Sequence, residues 1–427
     1  VSGRTLGEWL VHVERQHPKE IALGLERVGN VLARLGLSPG CPVITVGGTN
    51  GKGSACAMLE SILRAAGYRT GLYSSPHLLR YNERVRIAGR EADDAALCEA
   101  FQAVEDARGP VPLTYFEYGT LAAAWLFARE RLDALVLEVG LGGRLDAVNA
   151  IEPDCALLTS VGVDHVAYLG ATREASGREK AGIFRRGKPA VVAEPEPPAS
   201  VLEEAARVGA QLLLIGRDFG FSAEAAQWSC WGPGGKRAGL AHPALRGAIQ
   251  LRNASAAIVA LDALRERLPV SMQEVRRGLA EVNLPGRFQV LPGRPQIVLD
   301  VAHNPQAAAV LAANLSASGF APQTIAVLGM LADKDIDGVM RAVAPRITRW
   351  HLATLGGPRG ASARQLAAAL AACGVSAPAT EHASVAGALA AAQGEAGESD
   401  KIIVFGSFLT VAEAMAQLQA QPRPGHG

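Results

Sequence analysis

Apolar residues along the chain follow two rhythms. Leu6, Trp9, Leu10 and Val13 recur at helical spacing, as do Leu25, Val28, Leu32 and Leu35, so amphipathic helices open the chain. Pro42 to Val46 then makes a short, evenly apolar run. A Gly-rich stretch follows, then a helix with Met58, Leu59, Ile62 and Leu63 on its inner face and Gly67 as its expected stop. Further apolar runs at 134–139, 155–161, 189–193 and 211–215 are too short and too evenly apolar for amphipathic helices and read as buried strands. A second alternating block starts near Gln289. Its expected strands are 296–300, 324–329, 349–354 and 401–405, and its helices 306–318, 361–373, 383–393 and 409–419. Alternation of this kind implies an α/β fold, with a mainly parallel sheet covered on both faces. Asn283-Leu284-Pro285-Gly286-Arg287-Phe288 interrupts regular structure between the blocks. The expected domains are therefore 1–287 and 288–427. The tail 421–427, rich in Pro and Gly, is expected to fray.

Composition narrows the field. The 427 residues include 42 Lys and Arg against 41 Asp and Glu. That balance gives no global field for nucleic acid or for a membrane surface. Hydrophobic residues at 49% can fill sizeable cores. The six cysteines, at 41, 56, 98, 155, 230 and 373, lack metal-ligand or redox spacing. No run approaches a membrane span, and Trp9, Glu14 and Arg15 break up any leader-like stretch. A soluble, reducing, cytoplasmic setting is the simplest expectation, with a monomer as the default.

Chemistry concentrates first at Gly47-Gly48-Thr49-Asn50-Gly51-Lys52-Gly53-Ser54, between a strand and a helix. Glycines let backbone N–H groups turn toward phosphates. The helix N-terminus adds unpaired N–H groups, and Lys52 adds a point charge. Ser54 offers a hydroxyl near Mg²⁺. The match to the standard phosphate loop is interrupted, because Gly53 stands where that pattern has Ser or Thr.

With the motifs that follow, the chain resembles the folylpolyglutamate synthase family of the Mur ligase superfamily. The resemblance is carried by G-T-N-G-K-G-S at 48–54, Y-S-S-P-H-L at 73–78, E-V-G-L-G-G-R-L-D at 138–146, D-H at 164–165, E-K-A-G-I-F-R at 179–185, L-P-G-R-F at 284–288, D-V-A-H-N-P at 300–305 and G-S-F-L-T at 406–410. It implies a Mur-ligase-type ATPase domain followed by a smaller Rossmann-like domain. It also implies an ATP-dependent amide ligase acting through an acyl phosphate. The substrates would be dihydropteroate or folates, with L-glutamate as the second acid. Alternatives are a ligase confined to folates, or a P-loop NTPase working as a switch or motor.

The resemblance implies roles residue by residue. Thr49, Asn50, Gly51, Lys52, Gly53 and Ser54 would hold ATP, joined by Asn253, Arg287 and Asp300. Ser75, Glu138 and His165 would hold Mg²⁺, two ions in all. Glu138 also closes an apolar run, where a carboxylate suits a hard cation. Thr114, Tyr115, Phe116 and Glu117, with Leu145, Asp146 and Ala147, would line the pterin pocket, with Phe116 stacking on the ring. Lys180 would be catalytic and carbamylated, because a lysine neutralised by burial can react with CO₂. Arg287 and His303 complete the catalytic set. Read from the residues alone, other roles remain open. Asn253 is a good N-cap at the start of a helix, Lys180 is a helical lysine beside Glu179, and 303–305 is a capped turn.

Overall fold

The computed structural model describes residues 3–19 and 21–420. It divides into two compact units. One comprises the chain up to Ala244 together with Gln250–Asn283, and the other Leu245–Ile249 with the chain from Leu284. The division thus falls before 284 rather than after 287. The reason is local: Gly286 accepts the N–H of Val301 at 3.0 Å, and Phe288 donates to Asp300 at 2.9 Å. These bonds tie the linker to the second unit's own sheet. Residues 421–427 lie outside the described residues.

The first unit is built on an eight-stranded sheet. Its strands are β1 (Val43–Gly47), β2 (Thr70–Tyr73), β3 (Val85–Ile87), β4 (Arg90–Glu91), β5 (Ala134–Glu138), β6 (Cys155–Leu158), β7 (Pro189–Val192) and β8 (Gln211–Leu214). The spatial order is β4-β3-β2-β5-β1-β6-β7-β8. From β2 to β8 all pairings are parallel, and β3 and β4 add an antiparallel edge. Each expected strand forms, one to three residues shorter at its C-terminal end in four of them. The chain there leaves the ladder to make loops.

A small antiparallel sheet of β9 (Gly220–Ala223), β10 (Trp228–Gly232) and β11 (Gly235–Leu240) is the part least visible in the sequence. Glycines interrupt its alternation, and one face is largely exposed. The second unit carries β12 (Gln289–Leu291), β13 (Gln296–Leu299), β14 (Thr324–Leu328), β15 (Arg349–Ala353), β16 (Ala379–His382) and β17 (Lys401–Phe405). Their order is β12-β13-β17-β14-β15-β16, parallel except for β12. This is the α/β character expected of it. Among the described residues no helix is long and apolar enough to cross a membrane.

Helices Leu6–Glu14, Asp94–Arg108 and Tyr115–Arg129 share a core around Trp9, Phe101 and Tyr118. One polar knot joins them. Glu105 accepts from Arg108 at 2.6 Å, from the Tyr118 hydroxyl, and pairs with His12 at 3.2 Å. Burial alone would raise its pKa, but bonds from Arg108, Tyr118 and His12 bring it down to about 2 from the ordinary 4.5. A depressed carboxylate stabilises the fold above its unfolded pKa and loses that contribution as pH falls through its folded value. Stability is therefore expected to decline between pH 4.5 and about 2 through this group. Glu105→Gln should flatten that part of an acid melting series and cost about 2 kcal/mol near neutrality. An unchanged acid limb in the variant would remove Glu105 from the account.

Candidate active site

The phosphate loop is held from behind by the end of β6. Thr49 N–H donates to the Ser160 carbonyl at 2.9 Å, and Asn50 N–H to the Ser160 hydroxyl at 2.9 Å. Thr159 and Ser160 hydroxyls in turn donate to the Asn50 carbonyl at 2.7 and 3.0 Å. Gly48, at φ +144°, lies so close to Thr159 that a Cβ would sit 2.0 Å from its hydroxyl oxygen. The loop needs glycine there for conformation and for space. The helix Lys52–Ala65 begins without a side-chain cap, so its first N–H groups face outward for an anion. Lys52 Nζ bridges the loop, donating to the Gly48 and Thr49 carbonyls at 3.1 and 3.4 Å.

Asn253 does not take the N-cap role that its place in the sequence left open. It is the fifth residue of the helix Ile249–Ala263, not its cap, because Ile249 to Arg252 already continue the helical run. Its buried amide donates to Gln250 at 3.0 Å and abuts the loop, 2.8 Å from where a Cβ on Gly51 would stand.

Glu138 ends β5 directly beside Val46 of β1. It is buried, and it accepts the backbone N–H of Ser75 at 3.2 Å. Ser75 and Glu138, two of the expected metal ligands, are therefore neighbours. His165, with φ +52°, lies beside Asp164, which accepts its N–H at 2.8 Å. Among the described residues no three His, Cys, Asp or Glu side chains gather as a group that could hold a metal ion. The fit for a hard divalent ion rests on the oxygen donors of Glu138 and Ser75, two residues joined through the Ser75 backbone N–H.

Lys180 is buried on the helix Arg173–Ala181, 2% exposed. Burial, with the charge of Lys52, lowers its pKa to about 8 against the pull of Asp164 and Glu179. It is thus electrostatically part of the loop's surroundings, although it lies far from the loop in sequence.

The pterin-pocket candidates divide by role. Thr114 caps the helix Tyr115–Arg129 and forms a capping box with Glu117. Glu117 is further fixed by Arg27 at 2.8 Å, a residue the sequence reading did not single out. That frame places Tyr115 and Phe116 at the helix's first turn. The Phe116 ring packs over Gly140, where a Cβ would lie 2.6 Å away, and stands 5.8 Å from Tyr73. Leu145 contributes its carbonyl to Gly24. Asp146 caps the turn Ala147–Ala150 and accepts from Leu141 and Val148 at 2.8 and 3.0 Å. Burial nevertheless raises its pKa to about 7.

Residues 46–261 match the Mur ligase middle domain, and residues 286–408 the Mur ligase glutamate ligase domain. Over 421 residues the chain is 46% identical to the dihydrofolate synthase/folylpolyglutamate synthase of Escherichia coli, covering 98% of this chain and 97% of the relative. The chain belongs to the dihydrofolate synthase/folylpolyglutamate synthase family. Two solved members of that family superpose closely. E. coli FolC in complex with DHPP and ADP gives a TM-score of 0.93 at 46% identity, with 98% of each chain covered. A bifunctional folylpolyglutamate synthase/dihydrofolate synthase with Mn, AMPPNP and L-glutamate bound gives 0.90 at 46% identity, with 97% of this chain and 98% of that chain covered.

Within this synthase the second unit assembles its own cluster. Asp300 follows β13 and accepts the N–H groups of Phe288 and Ala302 at 2.9 and 2.8 Å. Burial raises its pKa, opposed by those bonds and by Arg287 and His303. The Arg287 guanidinium stacks 5.1 Å over Phe408, and the His303 ring lies 6.2 Å from the same phenyl. His303 Nδ1 is 2.9 Å from the Val301 carbonyl. Asn304 caps the helix Pro305–Ala317, so the capped turn and the expected site coincide. Phe408 had no assigned role from sequence, although its motif was noted. The signal was there: Gly406, at φ +113°, allows a turn that no Cβ would fit, directly after a buried strand.

Proposed function

We propose that the protein is an ATP-dependent ligase that joins L-glutamate to dihydropteroate and, in a second activity, to folates. The observation that carries this reading is the phosphate loop with Lys52, a buried Glu138 at the end of the strand beside β1, and a buried Lys180 whose pKa is lowered to about 8. An NTPase switch has no need of a desolvated lysine there. The bound states of the relatives, DHPP with ADP and AMPPNP with L-glutamate, agree with it.

The chemistry follows from charge. The acid's carboxylate attacks the γ-phosphorus of ATP, giving an acyl phosphate and ADP. The glutamate amine then attacks the acyl carbon, loses a proton, and phosphate leaves. Lys52 and the helix N-terminus offset repulsion between the two anions. Glu138 and Ser75 would hold Mg²⁺, with His165 as the family's further ligand, and such an ion supplies neutralisation of phosphate charge. Lys180, as its carbamate, would present two oxygens to that region. The family resemblance would give nucleotide contacts to Asn253 and Asp300, charge balance on the transferring phosphoryl group to Arg287, and a catalytic part to His303. Tyr115 and Phe116 hold the pterin face, and Asp146 accepts from its N–H groups, with Leu145 and Ala147 alongside. The protein works as a cytoplasmic monomer on small molecules, without nucleic acid or membrane.

Phosphate release from ATP, with each acid omitted in turn, tests the reading. Release that needs both dihydropteroate and glutamate supports it, and release without either acid overturns it. Phe116→Ala is expected to raise KM for dihydropteroate about tenfold, the size of one lost aromatic stack, while KM for ATP stays put. Equal rises in both would show that Phe116 only supports the fold.

A further inference from the structure

The second unit brings Arg287, His303 and Phe408 to one end of two neighbouring strands. β13 and β17 pair in parallel, Leu299 beside Val404, and the Asp300 N–H donates to the Val404 carbonyl at 3.0 Å. The segments that leave these strands, 300–303 and 406–408, therefore emerge side by side. Arg287 is tied to the same edge, because the Gly286 carbonyl accepts from Val301 at 3.0 Å and the Phe288 N–H donates to Asp300 at 2.9 Å. Phe408 is fixed by a turn with little freedom. A Cβ on Gly406 would stand 2.3 Å from the Gly329 carbonyl oxygen. The buried Thr410 hydroxyl donates to that same oxygen at 2.7 Å and lies 2.7 Å from the Ser407 hydroxyl, which accepts the Thr410 N–H at 3.0 Å.

The ring so placed does not fill the core. Among the described residues, the cluster that holds Phe405 and Trp350 does not include Phe408, which stays half-buried at the start of the helix Phe408–Ala420. Its ring meets the Arg287 guanidinium, 5.1 Å from the centroid, and the His303 ring at 6.2 Å. An arginine side chain samples many rotamers unless something holds it, and that freedom slows a reaction that needs one geometry. An aromatic face restrains a guanidinium electrostatically and uses none of its N–H groups. Those groups, one of which reaches the Gly286 carbonyl at 3.3 Å, lie in the guanidinium plane, the direction from which a phosphoryl oxygen is bound.

We propose that Phe408 is a positioning residue, whose ring holds the Arg287 guanidinium in the orientation that phosphoryl transfer requires. The inference rests on the ligase reading above, in which Arg287 balances charge on the transferring group. The single-turnover rate of ADP formation and KM for dihydropteroate test it, on wild-type protein, Phe408→Leu, Phe408→Tyr, Arg287→Ala and the double variant Phe408→Leu with Arg287→Ala, each with a thermal melt. Phe408→Leu should lower the rate about fivefold, the scale of one partly exposed cation–π contact, and leave KM within about twofold of wild type. Phe408→Tyr, which keeps the ring face, should recover most of that loss. Arg287→Ala should lose about a hundredfold, and Phe408→Leu should add nothing to it, because the ring acts through the arginine. A wild-type rate in Phe408→Leu would overturn the proposal. So would Phe408→Tyr no better than Phe408→Leu, the same loss repeated in the Arg287→Ala background, or a melting temperature lowered in Phe408→Leu and not in Arg287→Ala. Arg287→Ala at the wild-type rate would overturn Arg287's part in the reaction and the proposal with it. Wild-type protein that forms no ADP with both acids present would instead overturn the ligase reading itself.

Discussion

Lys52→Met is expected to lower kcat by about a thousandfold, the scale of losing one charged donor aimed at transition-state charge. The fold should survive. Lys52 is only half-buried, and its partners here are the Gly48 and Thr49 carbonyls, whose loop is held independently by Thr159 and Ser160. The nucleotide's phosphates would take over the role of those carbonyls, so the bridge marks where the charge is wanted. The measurement is single-turnover formation of ADP with saturating acid and ATP, alongside a thermal melt. A variant with wild-type stability and more than a tenth of the wild-type rate would sink the assignment. Lys52→Arg should rescue poorly, because the wider guanidinium does not fit a slot shaped for an ammonium.

Lys180 offers a different test, because its chemistry depends on a gas. With its pKa near 8, an appreciable share of the amine is neutral at physiological pH. The neutral amine adds to CO₂, forms an N–C bond and releases a proton, giving a carbamate. Rising pH through about 8 favours that product, since both deprotonation and proton release are pulled forward. Activity in CO₂-depleted buffer is therefore expected to fall severalfold and to return on adding bicarbonate. Lys180→Gln should lose about a hundredfold in kcat, within the range seen when a charged group acting on the transition state is lost, and should not respond to bicarbonate. A wild-type rate indifferent to CO₂ would leave Lys180 as an amine and remove the carbamate from the mechanism.

These two lysines show how unevenly the site can be read from sequence. Lys52 is legible because everything that defines it is local: a buried strand, glycines that permit the turn, and a helix directly after. Glu138 is nearly as legible, as the polar end of an apolar run. Lys180 looks like an ordinary helical lysine. Only the packing around its helix buries it to 2% exposure and sets Lys52's charge upon it. Asn253 looks like a cap until its helix is seen to start four residues earlier. Arg27 carries no local signature of what it meets.

The sequence alone determined the alternation of strands and helices, the two-part organisation and the phosphate loop, because periodicity and glycine's φ requirements act over a few residues. Tertiary structure decided which charges are desolvated, which polar groups are already bonded and which face an open side of the loop. Those properties depend on atoms far apart in the chain: Glu117 on Arg27, and Asn253 on Gly51. Burial multiplies the effect of each such neighbour, and no local pattern encodes who the neighbour will be.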